Sequence, residues 1–229
     1  MPKVRKALEP QQERSRESLR RLLKAVTEVL GQHGVEGTTI PRIAHHAGLT
    51  PGAIYRRFQD KDALLETAIL RILERQEERM KIFITPETAA QIPLAVFADQ
   101  VIGGMVITYR ANAPLLRAIR QFVQGRANTR FGKQASKLEM RSFERVVNLF
   151  LAHSKQIKHP DPRAAVSFGM LMIISTLYEL VVLPQETQEL RALSGLIPKD
   201  DQGLRRELTR AFLSYLSSGG GKPGAVGSK

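Results

Sequence analysis

The chain has 229 residues and a formal net charge of +13, from 35 lysines and arginines against 22 aspartates and glutamates. With 42% hydrophobic and 25% charged residues it can bury a substantial core, which excludes a wholly disordered chain. The lack of cysteine excludes disulfides and thiol chemistry and fits a cytoplasmic protein, while the positive charge favours a polyanionic partner, either nucleic acid or an anionic membrane surface.

Residues 1–14 are polar and basic, with Lys3, Arg5 and Lys6, and read as a flexible arm with no apolar run for a signal peptide. From Arg16 to His33 the set Leu19, Leu22, Leu23, Val26, Val29 and Leu30 keeps a helical period, and Gly34 suits a C-terminal cap. Thr38 to Lys61, TTIPRIAHHAGLTPGAIYRRFQDK, then predicts two short helices joined by a tight turn. Thr39 can cap the first, with Pro41 in its opening turn where a missing N–H costs nothing. Gly48 ends it. Thr50 and Pro51 repeat the start signal, and two helices at this spacing make a helix-turn-helix.

Helical spacing turns Ile43, Ala44, Ala47, Leu49, Ile54 and Phe58 inward. The second helix keeps Thr50, Pro51, Gly52, Ala53, Tyr55, Arg56 and Arg57 outward, small at its start so that backbone can approach a partner, with donors further along. Arg56 and Arg57 sit about 100° apart, so one can meet a base edge and the other a phosphate. Asp60 can cap the next helix and set Lys61 beside the same face. The candidate DNA-binding residues are therefore Thr39, Thr50, Pro51, Gly52, Tyr55, Arg56, Arg57 and Lys61.

A fourth helix starts near Lys61 and becomes highly charged from Glu74 to Lys81, as a link between head and body would be. The body reads as helices over Ile92–Arg110, Ala113–Gln124, Asn128–Ile157, Pro162–Leu183 and Asp201–Ser217, with prolines near the breaks. The connection 184–199 has room for a short helix around Glu186–Leu193, and the tail GGGKPGAVGSK reads as disordered. Arg130, Lys133, Lys137, Arg141 and Arg145 form a basic stripe best explained as a solvated helix face. The apolar stretch Phe168–Leu183 falls short of the roughly 20 residues needed to cross a membrane, so a membrane partner is not expected. The histidines lack metal-ligand spacing, no cofactor motif is legible, and no nucleophile with a base or paired carboxylates suggests an enzyme. Gly103-Gly104 inside an apolar helix suggests close packing or looseness beside a cavity.

From Thr39 through Ile43, Ala44, Ala47, Gly48, Leu49, Thr50, Gly52, Ile54, Tyr55, Phe58, Lys61 and Leu64 the chain resembles the N-terminal module of the TetR (tetracycline repressor) family, T-x-x-x-I-A-x-x-A-G-[VL]-[ST]-x-G-x-[LI]-Y-x-x-F-x-x-K-x-x-L. The match covers about a fifth of the chain. The resemblance implies an all-α protein, with an arm over 1–14, a three-helix DNA-binding domain over 15–62, a helical regulatory and dimerisation domain over 63–218 and a disordered tail over 219–229. It also implies a homodimeric, sequence-specific repressor that a small molecule releases from a palindromic operator in double-stranded DNA.

Leu171, Ile174, Leu177, Tyr178, Val181, Leu204, Leu208, Phe212 and Tyr215 are the expected dimer residues, since they give the last two helices apolar faces for a four-helix packing. Phe97, Met105, Tyr109, Phe122, Phe143 and Met170 are candidate pocket walls for a mostly apolar effector, and Arg117 and Arg120 could reach an acidic group on it. Control by a protein partner, or by no ligand, stays open as an alternative. An α-helical enzyme or carrier is the remote one.

Overall fold

The computed structural model describes residues 5–183, 198 and 200–218. All described secondary structure is helical, and the chain divides into two compact units. The first runs up to Arg75 and takes in Pro114–Lys137; the second holds Gln76–Ala113 and the chain from Leu138 onward. The predicted helix at 186–193 and the tail 219–229 lie outside the described residues.

The first unit opens with α1, Arg5–Gly37, broken at Gly34, whose φ of 64° only glycine adopts without strain. The helix thus enters the segment expected to be a flexible arm. Its residues there, rich in Arg, Lys, Glu and Gln, are good helix formers, and extending the apolar-faced helix that follows costs less than nucleating a new one. α2, Ile40–Ala47, is capped by Thr39, whose Oγ1 accepts the Arg42 amide at 3.4 Å. Gly48, at φ 63°, stops it in the left-handed conformation, and the Leu49 amide closes on the Ala44 carbonyl at 2.9 Å.

α3, Pro51–Tyr55, starts with Thr50 Oγ1 accepting the Ala53 amide at 3.2 Å. α4, Lys61–Phe83, starts with Asp60 Oδ1 accepting the Ala63 amide at 2.8 Å. The core of this unit combines Leu22, Val26 and Leu30 of α1, Ile43 and Ala44 of α2, Ile54 of α3, and Leu64, Leu65 and Ile69 of α4. It also takes in Ala118, Ile119, Phe122, Phe131 and Ala135. The unit therefore extends well past the expected limits of 15–62, because its closing layer comes from residues distant in sequence.

α5, Pro86–Ala89, is a single turn that periodicity could not reveal, built on a reciprocal cap between Thr85 and Thr88. α6, Leu94–Val123, joins the two helices expected over 92–110 and 113–124, with Pro114 inside it. Proline removes one ladder bond, at about 3 kcal/mol. Both flanks are held independently, Ile102 and Val106 in the second core and Ala118 and Ile119 in the first.

α7, Arg130–Leu151, is followed by a 3-10 turn at Ser154–Gln156, and α8, Pro162–Leu177, is capped by Asp161 and ends in a π-helical turn, Tyr178–Val182. α9 is Asp201–Ser217, capped by Asp200. In the second core, Phe97, Phe150 and Phe212 stack edge-on, with ring centroids 4.9 and 5.0 Å apart. α8 and α9 meet where Gly169 lacks a side chain: a Cβ there would stand 2.6 Å from the Phe212 ring. Gly103 likewise leaves room for the Arg205 side chain, whose guanidinium binds Asp99, so of the two sequence readings of Gly103-Gly104 the close-packing one applies.

Candidate nucleic-acid interface

Two capped turns present α3. Pro51, Gly52, Tyr55, Arg56 and Arg57 are exposed, as are both capping threonines, and Ile54 is buried beneath them. Tyr55 is 56% exposed, so its phenol is available outside rather than committed to the core. α3 itself ends at Tyr55, leaving Arg56 and Arg57 in the turn that follows. Arg57 donates to Ser15 Oγ at 3.3 Å, whereas Arg56 makes no internal hydrogen bond or ion pair. Arg56 is therefore the free cation of this face, and Arg57 links it to α1.

Lys61 is half-buried, and its Nζ donates to the Val35 carbonyl at 3.3 Å. That bond fastens the start of α4 to the end of α1. It uses one of three N–H donors, so Lys61 positions this corner and keeps donors for a phosphate. Sequence reasoning passed over Arg42, which is exposed on α2 and donates to the Gly37 carbonyl, and over the exposed pair His45 and His46. Arg42 follows directly after the Thr39 cap and Pro41, a position the cap itself could have flagged.

The residues expected to line a ligand site are divided. Phe97, Met105, Tyr109, Phe143 and Met170 belong to the second core. Phe122 instead packs in the first core, with its ring 5.7 Å from that of Phe131 and the Arg126 guanidinium 4.0 Å over its face. Arg117 and Arg120 fall in the same Pro114–Lys137 segment of the first unit. The spacing placed them near the others because it counted along one helix, and that helix serves two cores.

The expected dimer residues need a similar correction. Leu177, Val181, Leu204, Leu208 and Phe212 are buried inside the chain's own second core and are not available to a partner. The outward apolar positions of α8 are Phe168, Leu171 and Met172, with Leu171 53% exposed. Ile174, Tyr178 and Tyr215 are half-buried. The helical run Pro162–Val182 also exceeds the apolar length read from the sequence: it has 21 residues, and its most apolar window, of mean hydropathy 1.9, passes a length-and-composition test for a membrane span. Ala165, Val166, Gly169, Met170, Ile173 and Leu177 bury its inner face, as in a core helix.

In the second unit Glu77, 8% exposed, takes a 3.0 Å ion pair from Lys81 and lies in the field of Arg141 and Arg145. The hydrogen bond from Lys81 and these cations hold its carboxyl below the usual carboxylate range despite burial. Part of the basic stripe thus neutralises a buried acid at the end of α4, and Arg130, Lys133, Lys137 and Arg141 are exposed.

Two capped helices around a small core, with a close-approach face carrying Tyr55 and Arg56, define a helix-turn-helix DNA-binding protein. Residues 22–68 match the family of bacterial regulatory proteins of the tetR type. The chain is 27% identical to the HTH-type transcriptional regulator HbdR of Aromatoleum sp. strain CIB over 208 residues, covering 82% of this chain and 89% of that protein. Over a 54-residue segment it is 43% identical to the HTH-type transcriptional regulator BetI 1 of Chromohalobacter salexigens, 24% of this chain and 27% of that one.

Among solved structures, a Mesorhizobium loti protein solved as a TetR-family transcriptional regulator superposes with a TM-score of 0.66 at 19% identity, covering 89% and 97% of the two chains. The regulator FadR of Bacillus subtilis, solved in complex with stearoyl-CoA, superposes with a TM-score of 0.53 at 21% identity, covering 88% and 98%. At these identities the structural likeness carries the fold alone. The chain belongs to the TetR family and is a DNA-binding transcriptional regulator, not an enzyme.

Proposed function

We propose that the protein is a cytoplasmic homodimeric repressor that binds a palindromic operator and is released from it by a small, mostly apolar effector held in the body. The observation that carries the DNA-reading part is the open α3 face, with Tyr55 exposed and Arg56 without an internal partner. DNA, rather than a membrane surface, accounts for the position of these donors. Two such heads about 34 Å apart, one helical turn, would enter successive major grooves, and a body that alters this distance weakens both contacts together. The outward face of α8, around Phe168, Leu171 and Met172, supports dimerisation, and a stable symmetric interface there should bury more than about 1,000 Å² in total.

Selection of bound fragments from random DNA, read beside sedimentation of the free protein, tests this reading. The expected result is a two-fold symmetric consensus and a dimer at micromolar concentration. A single unpaired half-site bound by a monomer would refute it.

A further inference from the structure

α7 carries one acid that its own pattern does not explain. Arg130, Lys133, Lys137, Arg141 and Arg145 recur every three or four residues along one side, and Glu139 lies roughly opposite them on the helix, among the positions that also carry Phe143 and Val146. Its helical neighbours at three and four residues are Ala135, Ser136, Ser142 and Phe143, none of them basic. Among the described residues Glu139 makes no hydrogen bond and no ion pair. An acid meant for solvation would sit on the charged side, where the lysines and arginines are.

The surroundings of Glu139 are aromatic. Tyr109 of α6 packs its ring against that of Tyr178, with centroids 5.5 Å apart at 85°, and Met105, one turn back on the same face of α6, borders the second core with Phe143. Glu139 is close enough to Tyr109 for its charge to oppose ionisation of the phenol, which burial also keeps protonated. The carboxyl of Glu139 is raised by desolvation alone, although the residue is open to solvent. A group that water reaches, yet that is crowded enough to lose hydration, lies in a concave recess rather than on a convex surface.

We propose that the recess bounded by Met105, Tyr109, Glu139, Phe143 and Tyr178 binds an organic cation with an apolar body, Glu139 serving as counter-ion and the tyrosine rings as walls. The chemistry is complementary: an unpaired carboxylate in a partly desolvated site gains most from a bound positive charge, and electron-rich ring faces attract the same charge. Met105 and Phe143 supply adaptable apolar contact for the rest of the molecule. The proposal rests on the effector reading above and fixes its class. It reverses the preference for an acidic effector drawn from Arg117 and Arg120, which belong to the first unit.

The test is calorimetric titration of the full chain with decyltrimethylammonium, decanol and decanoate below their micellar concentrations, repeated with Glu139→Gln and Glu139→Asp. The cation should bind at least about tenfold more tightly than the alcohol or the acid. Glu139→Gln should lose about that factor for the cation alone, and Glu139→Asp should restore part of it. Equal affinity of Glu139→Gln for the cation, tighter binding of decanoate, or no binding of any probe would overturn the proposal; a thermal scan confirms that each variant is folded. A parallel shift assay on the selected operator separates the two readings. Cation binding that leaves operator affinity unchanged supports the site and removes effector control, whereas release by decanol or decanoate with no cation binding does the reverse.

Discussion

Tyr55 in the first unit and His153 in the second are both aromatic side chains bearing polar atoms, but Tyr55 is 56% exposed and His153 only 2%. Tyr55 stands on a five-residue helix whose single buried side chain is Ile54. His153 lies against Phe97, with ring centroids 5.4 Å apart, and neither of its nitrogens has a protein partner. The first unit sets its polar chemistry outside a finished core. The second places polar groups within or beside the core, Glu77 among its cations and Tyr109 against Tyr178 as well. DNA contact should therefore be separable from stability, whereas changes at the polar groups of the body should alter both stability and response.

The largest expected effect comes from breaking the aromatic stack of the second core. Phe150→Ala removes the ring that bridges Phe97 and Phe212 and should cost about 3–5 kcal/mol of stability by thermal or urea unfolding. Gly169→Ala should follow at about 1–3 kcal/mol, because its new methyl meets the Phe212 ring at 2.6 Å and α8 must move from α9. Neither should alter operator affinity per folded molecule. If Phe150→Ala cost no more than truncating the exposed Val96, the account of this core would fail.

Arg56→Ala sharpens the comparison from the other side. Operator binding should weaken by about 1–3 kcal/mol, with relaxed preference at one base pair per half-site, while the melting temperature stays unchanged. Lys61→Ala should weaken all DNA sequences alike and also lower the melting temperature, because it loses the bond to the Val35 carbonyl. A selected operator bound by Arg56→Ala as tightly as by the parent, at physiological salt, would show that the α3 face is misassigned.

The first unit was legible because its signals are local. Thr39, Thr50 and Asp60 each cap the helix that their spacing predicted, and Gly48 stops α2 at the residue where only a left-handed turn fits. The layer that closes this unit was not legible. Ala118, Phe122 and Phe131 are apolar at helical spacing, and nothing in that periodicity tells which of two cores receives them. The same limit sent Arg117 and Arg120 to the wrong unit and took Leu204, Leu208 and Phe212, the inner face of α9, for a surface between chains. Glu139 escaped notice because a lone carboxylate in a basic helix looks like charge balance until its side of the helix is known.

The smallest effect at neutral pH, and the most diagnostic of the buried-polar half of the comparison, is expected from His153→Leu. Burial lowers the proton affinity of His153 in the folded chain, while an unfolded histidine keeps its ordinary value of about 6.5. Below that value the unfolded chain binds a proton that the folded chain refuses, so stability is full above it and declines as pH falls, by up to about 1.4 kcal/mol per unit. The carboxylates of Glu77 and Asp99, both lowered by cationic partners, lose their contributions only in the more acidic carboxylate range, which separates the two windows. His153→Leu removes two buried nitrogens without protein partners, so stability at pH 7.5 should stay within about 1 kcal/mol of the parent or rise. Between pH 7 and 5.5 the variant's urea midpoint should flatten where that of the parent falls. A parental midpoint equally flat over this range would mean that the folded protein accepts the proton, and that the imidazole lies in a wetter place than the second core.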